Sequence, residues 1–469
     1  MGSLIKKLGA FSLGPVMAAA IGFITVPVIT YFITPEEYGK ASMFTLAQGI
    51  AAMLMYFGLD QAFIREFNQY KDNVGKLLSN AIFMPLIFVI IIDTCILINA
   101  KFLSNVLFGS QEELTAVYML AVMLPFIVVE NFSFLKIRME EKGLAYSCAT
   151  ISLKVLVLVI TVLLFLIYEK SFHSVVYAMA FAEIINGTIL FFLVIKPLRI
   201  SIKYVDKELI KRMLKFGLPL IPAMLMSWTL ASMDKVMLRA LCGYEELGLY
   251  AAAYKIVSAV SIVQSCFSLF WTPVAYRWNE ENVPKENYAF VNTIVAVGMT
   301  LICLLLLLVK NIVGFVLGDS FVEAIQIFPF LLLYPVMYTM SETTAMGIGF
   351  SRKTFYSIIV SGTACVANIA LNYTMIPLWG GTGAAFATGI AFIVFFWART
   401  LISRKLWWRF PIFIYVLISI ILIINCYVHT FFTGGLPYVI SIVSIMLILL
   451  ANMKNIIGVM KKVNQLSNK

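Results

Sequence analysis

The chain has 469 residues, of which 61% are hydrophobic and 13% are charged, and it carries a formal net charge of +11. Soluble proteins are nearer half apolar and a quarter charged, so the composition excludes an ordinary soluble enzyme. The apolar residues form separate runs of roughly 20, each long enough to cross ~30 Å of hydrocarbon. The sequence therefore predicts an all-α integral membrane protein.

The apolar runs predict about fourteen transmembrane helices. The first run begins after Lys6 and Lys7 and is too long for the core of a cleavable signal peptide, so we interpret it as a retained helix. The predicted spans are 8–32, 41–64, 77–99, 114–135, 146–168, 173–195, 213–240, 247–274, 288–309, 324–349, 354–376, 382–401, 409–428 and 435–452. The cysteines are scattered without metal-ligand spacing. We expect no metal site, no cofactor and no catalytic residue.

Basic residues predict the orientation of the chain. Most of the 35 lysines and arginines fall in alternate connections, which places both termini in the cytoplasm by the positive-inside rule. The longest inner connection, 196–212, could also attract anionic membrane lipids. A nucleic-acid partner is disfavoured, because the basic residues are spread over every inner connection. The outer side holds only Lys40, Lys101, Lys170, Arg239 and Lys310.

The two halves of the chain repeat each other at an offset of about 210 residues. Phe11-Ser12-Leu13-Gly14-Pro15 opens the first span, and Phe216-Gly217-Leu218-Pro219 opens the seventh. An offset of six spans preserves orientation, which predicts parallel repeats of the kind used in alternating access. We expect two six-helix lobes, residues 1–200 and 201–405, around a central cavity. Residues 406–469 are expected to add transmembrane helices 13 and 14 and a cytoplasmic tail.

Prolines inside the spans, such as Pro219 and Pro222 in the seventh, allow two interpretations. Proline removes a backbone donor and kinks a helix, so these positions could serve as bending points. Membrane helices also tolerate proline without any such role.

Two lysines inside apolar runs are candidate substrate-binding residues, because ionisable groups at membrane depth usually face a cavity or a partner. Lys154 lies on one helical stripe with Ser147, Thr150 and Thr161 in the fifth span. Lys255 lies beside a serine-bearing face of the eighth span. Two inward-facing cations could hold a diffuse anion such as a pyrophosphate. Salt bridges between helices are the alternative.

The remaining charges within spans also allow two interpretations. Lys235, next to Asp234 near an outer helix end, either contacts substrate or reaches to the interface. Arg65 and Asp60 end the second span as a structural pair or as a gate. The glutamates of the sixth and tenth spans could be protonatable coupling groups, because burial favours a neutral carboxyl group. The candidate pairing or coupling acids are Glu183, Glu342, Glu130, Asp234 and Asp60.

Several motifs lie within roughly the first 400 residues: Phe11-Ser12-Leu13-Gly14-Pro15, Thr34-Pro35-Glu36-Glu37-Tyr38-Gly39, Gly58-Leu59-Asp60-Gln61-Ala62 with Arg65, Leu247-Gly248-Leu249-Tyr250, Phe270-Trp271-Thr272-Pro273, Asn368 with Asn372, and the run 376–388. With these motifs the chain resembles the Wzx-type oligosaccharide flippases, or polysaccharide biosynthesis exporters. Their superfamily also contains multidrug/toxin extruders and lipid II flippases.

The resemblance implies a multi-pass transporter of the bacterial plasma membrane. Such a protein moves undecaprenyl-pyrophosphate-linked oligosaccharide from the inner to the outer leaflet, and it could work beside a polysaccharide polymerase and chain-length proteins. Lys154 and Lys255 fit the cationic cavity lining that the resemblance implies. Lipid II flippases use arginines near the start of their first two helices, whereas the first span here has no charge after Lys7.

Three alternatives remain open. A multidrug/toxin extruder would favour an acidic cavity and twelve spans, whereas this chain has lysines within spans and two further helices. A membrane polysaccharide polymerase or ligase would be expected to carry a large outer loop with catalytic residues, and the predicted outer loops are short. A scaffold role in a synthesis complex is the third. The sequence has no Gly-rich Lys-Ser/Thr loop for ATP, so an ion gradient, the membrane potential or product consumption would supply energy.

Overall fold

The computed structural model describes residues 2–198, 200–353 and 355–452, and their side chains from Leu13 onward except at Ala223 and Leu269. Throughout these ranges the regular structure is helical, and no strand is present in them. The all-α prediction is confirmed. Arg199 and most of the predicted cytoplasmic tail, 453–469, lie outside the described residues.

The chain forms two compact units, Met1–Trp228 and Thr229–Lys469. The boundary falls within a helix, Ile221–Leu241, and the predicted lobe limits at residues 200 and 405 stay predictions. The helices of the first unit are α1 (Gly2–Thr30), α2 (Pro35–Tyr56), α3 (Leu59–Glu66), α4 (Val74–Ile98), α5 (Ala100–Phe108), α6 (Leu114–Met139), α7 (Gly143–Ile167), α8 (Phe172–Leu190), α9 (Lys207–Gly217) and the start of α10 (Ile221–Leu241).

The second unit holds the rest of α10 and ten further helices. These are α11 (Tyr244–Ser258), α12 (Val260–Glu280), α13 (Lys285–Leu308), α14 (Ile312–Leu317), α15 (Ala324–Leu331), α16 (Leu333–Thr344), α17 (Met346–Phe350), α18 (Phe355–Leu406), α19 (Phe413–Phe431) and α20 (Leu436–Ala451).

Among the described residues, nine helical segments are long and apolar enough to span a membrane, or eleven if two bent pairs are each one span. The predicted fourteen would also require α2, the second arm of the broken α18, and α20. The structure is thus compatible with fourteen spans, and the multi-pass membrane assignment is confirmed.

Small residues bring α1 and α7 together in the first unit. The backbone N–H of Gly14 donates to Ser147 Oγ at 2.8 Å. A Cβ atom on Gly14 would lie 2.6 Å from the Ser147 Cα, so only glycine permits this approach. Close backbone contact at small residues is a common basis of helix packing in membranes.

The second unit has an aromatic cluster, which begins in the Phe270-Trp271 motif. Trp271 is 1% exposed and packs with Tyr288, Trp278 and Trp407. The Tyr288 hydroxyl donates to the Ala275 carbonyl at 3.1 Å. Because Tyr and Trp combine large apolar area with one polar atom, such a cluster fixes helix ends firmly against each other.

One predicted bending point coincides with a bend. Segments Lys207–Leu220 and Met224–Leu241 meet at 47°, next to Pro219 and Pro222. A second bend of 45° separates α11 from α12 at Ala259, where the sequence has no proline. Whether either bend moves during transport stays a prediction.

The sharp break within α18 depends on Gly380, whose φ of 53° and ψ of −130° suit only glycine. The next amide, that of Gly381, donates to Glu246 Oε2 at 2.6 Å. A Cβ atom on Gly380 would lie 2.5 Å from the same carboxylate oxygen.

We expect Gly380→Ala to destabilise the protein by about 1–3 kcal/mol, because it adds backbone strain and pushes Glu246 off its amide. Thermal unfolding followed by size-exclusion chromatography in detergent would measure the loss. Gly298→Ala is the matched control, since a Cβ there meets no atom within 4 Å. Equal unfolding temperatures for the two variants would contradict this account of the break.

Candidate functional site

A pair of carboxyl groups lies within the first unit, between α6 and α8. The Glu130 side chain is 5% exposed and lies within hydrogen-bonding reach of Glu183 and Asn186. Gln48 of α2 donates from Nε2 to Glu183 Oε1 at 3.0 Å. Two ionised carboxyl groups side by side would repel each other. The sequence named both acids but did not pair them.

Lys154 lies near this pair but on the surface. Its side chain is exposed, whereas Ser147 and Thr161 on the same helix are buried. Its charge interacts electrostatically with Glu130. On α7, which is mostly Leu and Val, an exposed ammonium group is costly unless an anion or a water-filled space compensates it.

Glu342 and Arg399 form an ion pair within the second unit. Arg399 Nη1 lies 2.8 Å from Glu342 Oε1 and also donates to Ser341 Oγ at 2.8 Å. The guanidinium group lies 5.3 Å from the centre of the Phe395 ring. The pair thus joins α16 to α18 by charge-assisted hydrogen bonds and a cation–π contact.

The polar pairs of the two units occupy corresponding positions. Glu342 follows Glu130 by 212 residues, and Arg399 follows Asn186 by 213, close to the offset of the sequence repeat. In each unit the acid and its partner come from the helices that correspond to spans four and six of that half. The first unit pairs its acid with neutral or acidic groups, whereas the second neutralises its acid with arginine.

Asp234 of α10 is the centre of a buried cluster in the second unit. It is 3% exposed and accepts four hydrogen bonds. The Tyr250 hydroxyl and the Thr388 hydroxyl donate to Oδ2 at 2.6 and 2.5 Å. Asn368 Nδ2 and Asn372 Nδ2 donate to Oδ1 at 2.9 and 2.6 Å. Asn368 and Asn372 were part of the family motif, and the structure shows what they contact.

The Asp234 cluster consists only of oxygen and amide groups. The carboxylate already accepts from four donors, so its neighbours present N–H and O–H groups to it rather than oxygen ligands for a cation. Among the described residues, no group of three or more His, Cys, Asp or Glu side chains is placed to hold a metal ion. The buried Asn372 Oδ1 accepts no hydrogen bond from any described residue.

The other predicted site residues have separate surroundings. Lys235 Nζ lies 5.2 Å from the centre of the Tyr254 ring. Lys255 is exposed on α11. Arg65 lies over the Phe216 ring at 4.5 Å, while Asp60 accepts from Gln61 Nε2 at 2.8 Å.

Sequence reasoning missed the neutral partners in these sites. Gln48 donates a hydrogen bond to Glu183, and Ser152 donates one to Asn186. Tyr250 donates one to Asp234. Uncharged polar residues are common in transmembrane helices and carry no signal by themselves. Only the positions of their partners on other helices could have identified them.

Solved structures of distant proteins share this fold. The lipid II flippase MurJ in an inward closed conformation is 17% identical with a TM-score of 0.69, over 95% of this chain and 99% of that chain. An inward-facing multidrug resistance MATE family transporter of the MOP superfamily is 16% identical with a TM-score of 0.61, over 83% and 93%. A MOP superfamily transporter from Pyrococcus furiosus, described by the reverse polarity of its binding pocket, is 15% identical with a TM-score of 0.58, over 85% and 95%. At these identities the likeness shows the fold alone.

The family assignment comes from the sequence. A comparison with curated proteins found no match. Residues 4–277, more than half of the chain, match the family model described as polysaccharide biosynthesis protein. The chain therefore belongs to the polysaccharide biosynthesis protein family and has the fold of MOP superfamily transporters.

Proposed function

We propose that the protein is a flippase of the bacterial plasma membrane. It moves undecaprenyl-pyrophosphate-linked oligosaccharide from the inner to the outer leaflet by alternating access, for the synthesis of a surface polysaccharide. The family supports the pathway, and the solved flippase with the same fold supports the kind of movement.

The observation that carries the proposal is the exposed Lys154 on an apolar helix. An ammonium group there is stabilised when an anion contacts it. A pyrophosphate is such an anion, and its hydration prevents the lipid head from crossing hydrocarbon unaided. The exposed Lys255 of the second unit adds a second cation of the same kind.

Reconstitution in liposomes tests the proposal. A fluorescent undecaprenyl-pyrophosphate saccharide is placed in both leaflets, and a membrane-impermeant quencher reports the outer one. We expect active protein to make nearly all of the fluorescence accessible, while fluorescent phosphatidylcholine stays protected. Fluorescence no more accessible than in protein-free liposomes would overturn the proposal. Transport of a fluorescent organic cation instead would assign the chain to multidrug extrusion.

Glu183 is the acid that we propose as the coupling group. It lies beside Glu130, so that the two can exchange one shared proton, and Gln48 holds it in place. Glu342 is less suited, because Arg399 neutralises it. Uptake and release of a proton at Glu183 would couple movement to a proton gradient.

We expect Glu183→Gln to abolish the acceleration of flipping by an imposed pH gradient, because the amide cannot exchange a proton. Flipping without a gradient should persist. The comparison is made in the same liposomes with and without a gradient. Glu286→Gln is the control, because Glu286 is an exposed acid at the start of α13. A gradient response that survives in Glu183→Gln would exclude Glu183 as the coupling group.

A further inference from the structure

A groove of about 420 Å³ lies within the first unit, where α6, α7 and α8 meet. The basic residues of the connections predict that this end of the unit is cytoplasmic. Ser152 and Asn186 lie at its polar part, and the Ser152 hydroxyl donates to Asn186 Oδ1 at 2.6 Å. The groove shares Asn186 with the surroundings of Glu130, but the inference drawn from it does not depend on the proposed transport function.

The wall of the groove is apolar and open. Ile189 is 45% exposed and Leu193 is 70% exposed, and both line the groove. Residues 191–195 form a short π-helix at the end of α8, and this segment supplies Leu193 and Val194 to the wall. π-Helical segments are rare and occur often at functional sites. Exposed leucine and isoleucine on transmembrane helices contact lipid chains, so an open apolar groove here is accessible to lipid.

The rim of the groove carries excess positive charge. Lys136 Nζ and Lys142 Nζ lie 3.1 and 2.9 Å from the two carboxylate oxygens of Glu140. Burial disfavours ionised Glu140, but its hydrogen bonds to Lys142 and Lys136 outweigh burial and lower the pKa of its carboxyl group. One carboxylate between two lysines leaves a net charge of +1, and the Lys142 side chain is 60% exposed.

From the apolar wall and the cationic rim together, we infer that the groove binds one anionic phospholipid of the adjacent leaflet. The phosphate contacts Lys142 and Lys136, and an acyl chain lies along Ile189 and Leu193. Charge complementarity selects an anionic headgroup over a zwitterionic one. The lipid would fill the space between the ends of three helices and stabilise this end of the first unit.

Cys148 provides a reporter, because it lines the groove and is exposed. The natural protein is placed in nanodiscs of phosphatidylcholine, with or without phosphatidylglycerol, and treated with N-ethylmaleimide. Peptide mass spectrometry follows Cys148 and, as an internal control, the exposed Cys266 of α12. We expect phosphatidylglycerol to slow labelling of Cys148 by about fivefold, the contribution of one basic residue near anionic lipid, and to leave Cys266 unchanged.

The variant Lys136→Gln/Lys142→Gln should remove this protection. The variant experiences the same membrane surface potential, so a slowing that survives in it would overturn the inference. Labelling of Cys148 that is as slow in phosphatidylcholine alone as it is with phosphatidylglycerol would also overturn it. Leu193→Trp, which keeps the lysines and fills the groove, should slow Cys148 labelling even in phosphatidylcholine. Unchanged labelling in Leu193→Trp would show that the wall is not where the lipid chain lies.

Discussion

We expect Lys154→Gln to lower the rate of lipid-linked oligosaccharide flipping about tenfold, while the amount of folded protein in the membrane stays the same. A hydrogen bond to a charged group contributes about 1.5–3 kcal/mol, and glutamine keeps most of the length of the side chain but not the charge. Because Lys154 is exposed, its replacement creates no cavity in the core. The loss should therefore appear in transport and not in stability.

Lys255→Gln should behave in the same way, since Lys255 is also exposed within an apolar helix. Lys101→Gln is the matched control, because Lys101 is exposed on α5, outside the predicted spans. Rates come from the liposome assay, and abundance comes from detergent-extracted membranes. Full flipping by Lys154→Gln/Lys255→Gln would exclude both lysines as anion ligands. A fall in abundance equal to the fall in rate would assign them a structural role.

The sequence was sufficient to identify the charged residues of the candidate sites. An ionisable group within a run of twenty apolar residues is conspicuous, because its transfer into hydrocarbon is costly. Each of Glu130, Glu183, Glu342 and Asp234 stood out for this reason. The all-α membrane fold followed from the same hydropathy pattern, since only helices and closed barrels satisfy backbone groups in lipid.

The sequence was not sufficient to pair these residues. Asp234 and Lys235 are adjacent in sequence, but successive helical residues do not face each other, so adjacency does not indicate what either side chain contacts. The structure directs Asp234 to Asn368 and Asn372, and Lys235 to Tyr254. Helical periodicity defines which face of its own helix a residue occupies, but not which neighbouring helix packs on that face.

Turn chemistry was equally hidden. Nothing in the sequence around Glu246 indicates its partner, yet its carboxylate accepts from Gly381, 135 residues later. Its counterpart in the first half, Glu37, instead closes a capping box with Thr34 at the start of α2. Repeated positions thus keep their place in the fold while their hydrogen-bond partners diverge.

The stability of the second unit should depend on both members of the ion pair between Glu342 and Arg399. Their side chains are 11% and 22% exposed, so removal of either partner leaves a largely buried charge unpaired. We expect Glu342→Gln and Arg399→Met each to destabilise the second unit by about 3 kcal/mol. Thermal unfolding of the purified protein in detergent measures this as a clear drop in the midpoint temperature.

The double variant Glu342→Leu/Arg399→Met decides whether lost charge pairing or lost packing destabilises the single variants. Replacing a buried pair by apolar residues is often neutral or stabilising, so the double variant should unfold at a higher temperature than either single variant. Ser341 loses one hydrogen bond in this variant, but no unpaired charge remains beside it. Additive losses in the double variant would mean that the two residues act independently, and the coupling of α16 to α18 by this pair would be refuted. A stable double variant that no longer flips substrate would instead show that these charged groups are required for transport.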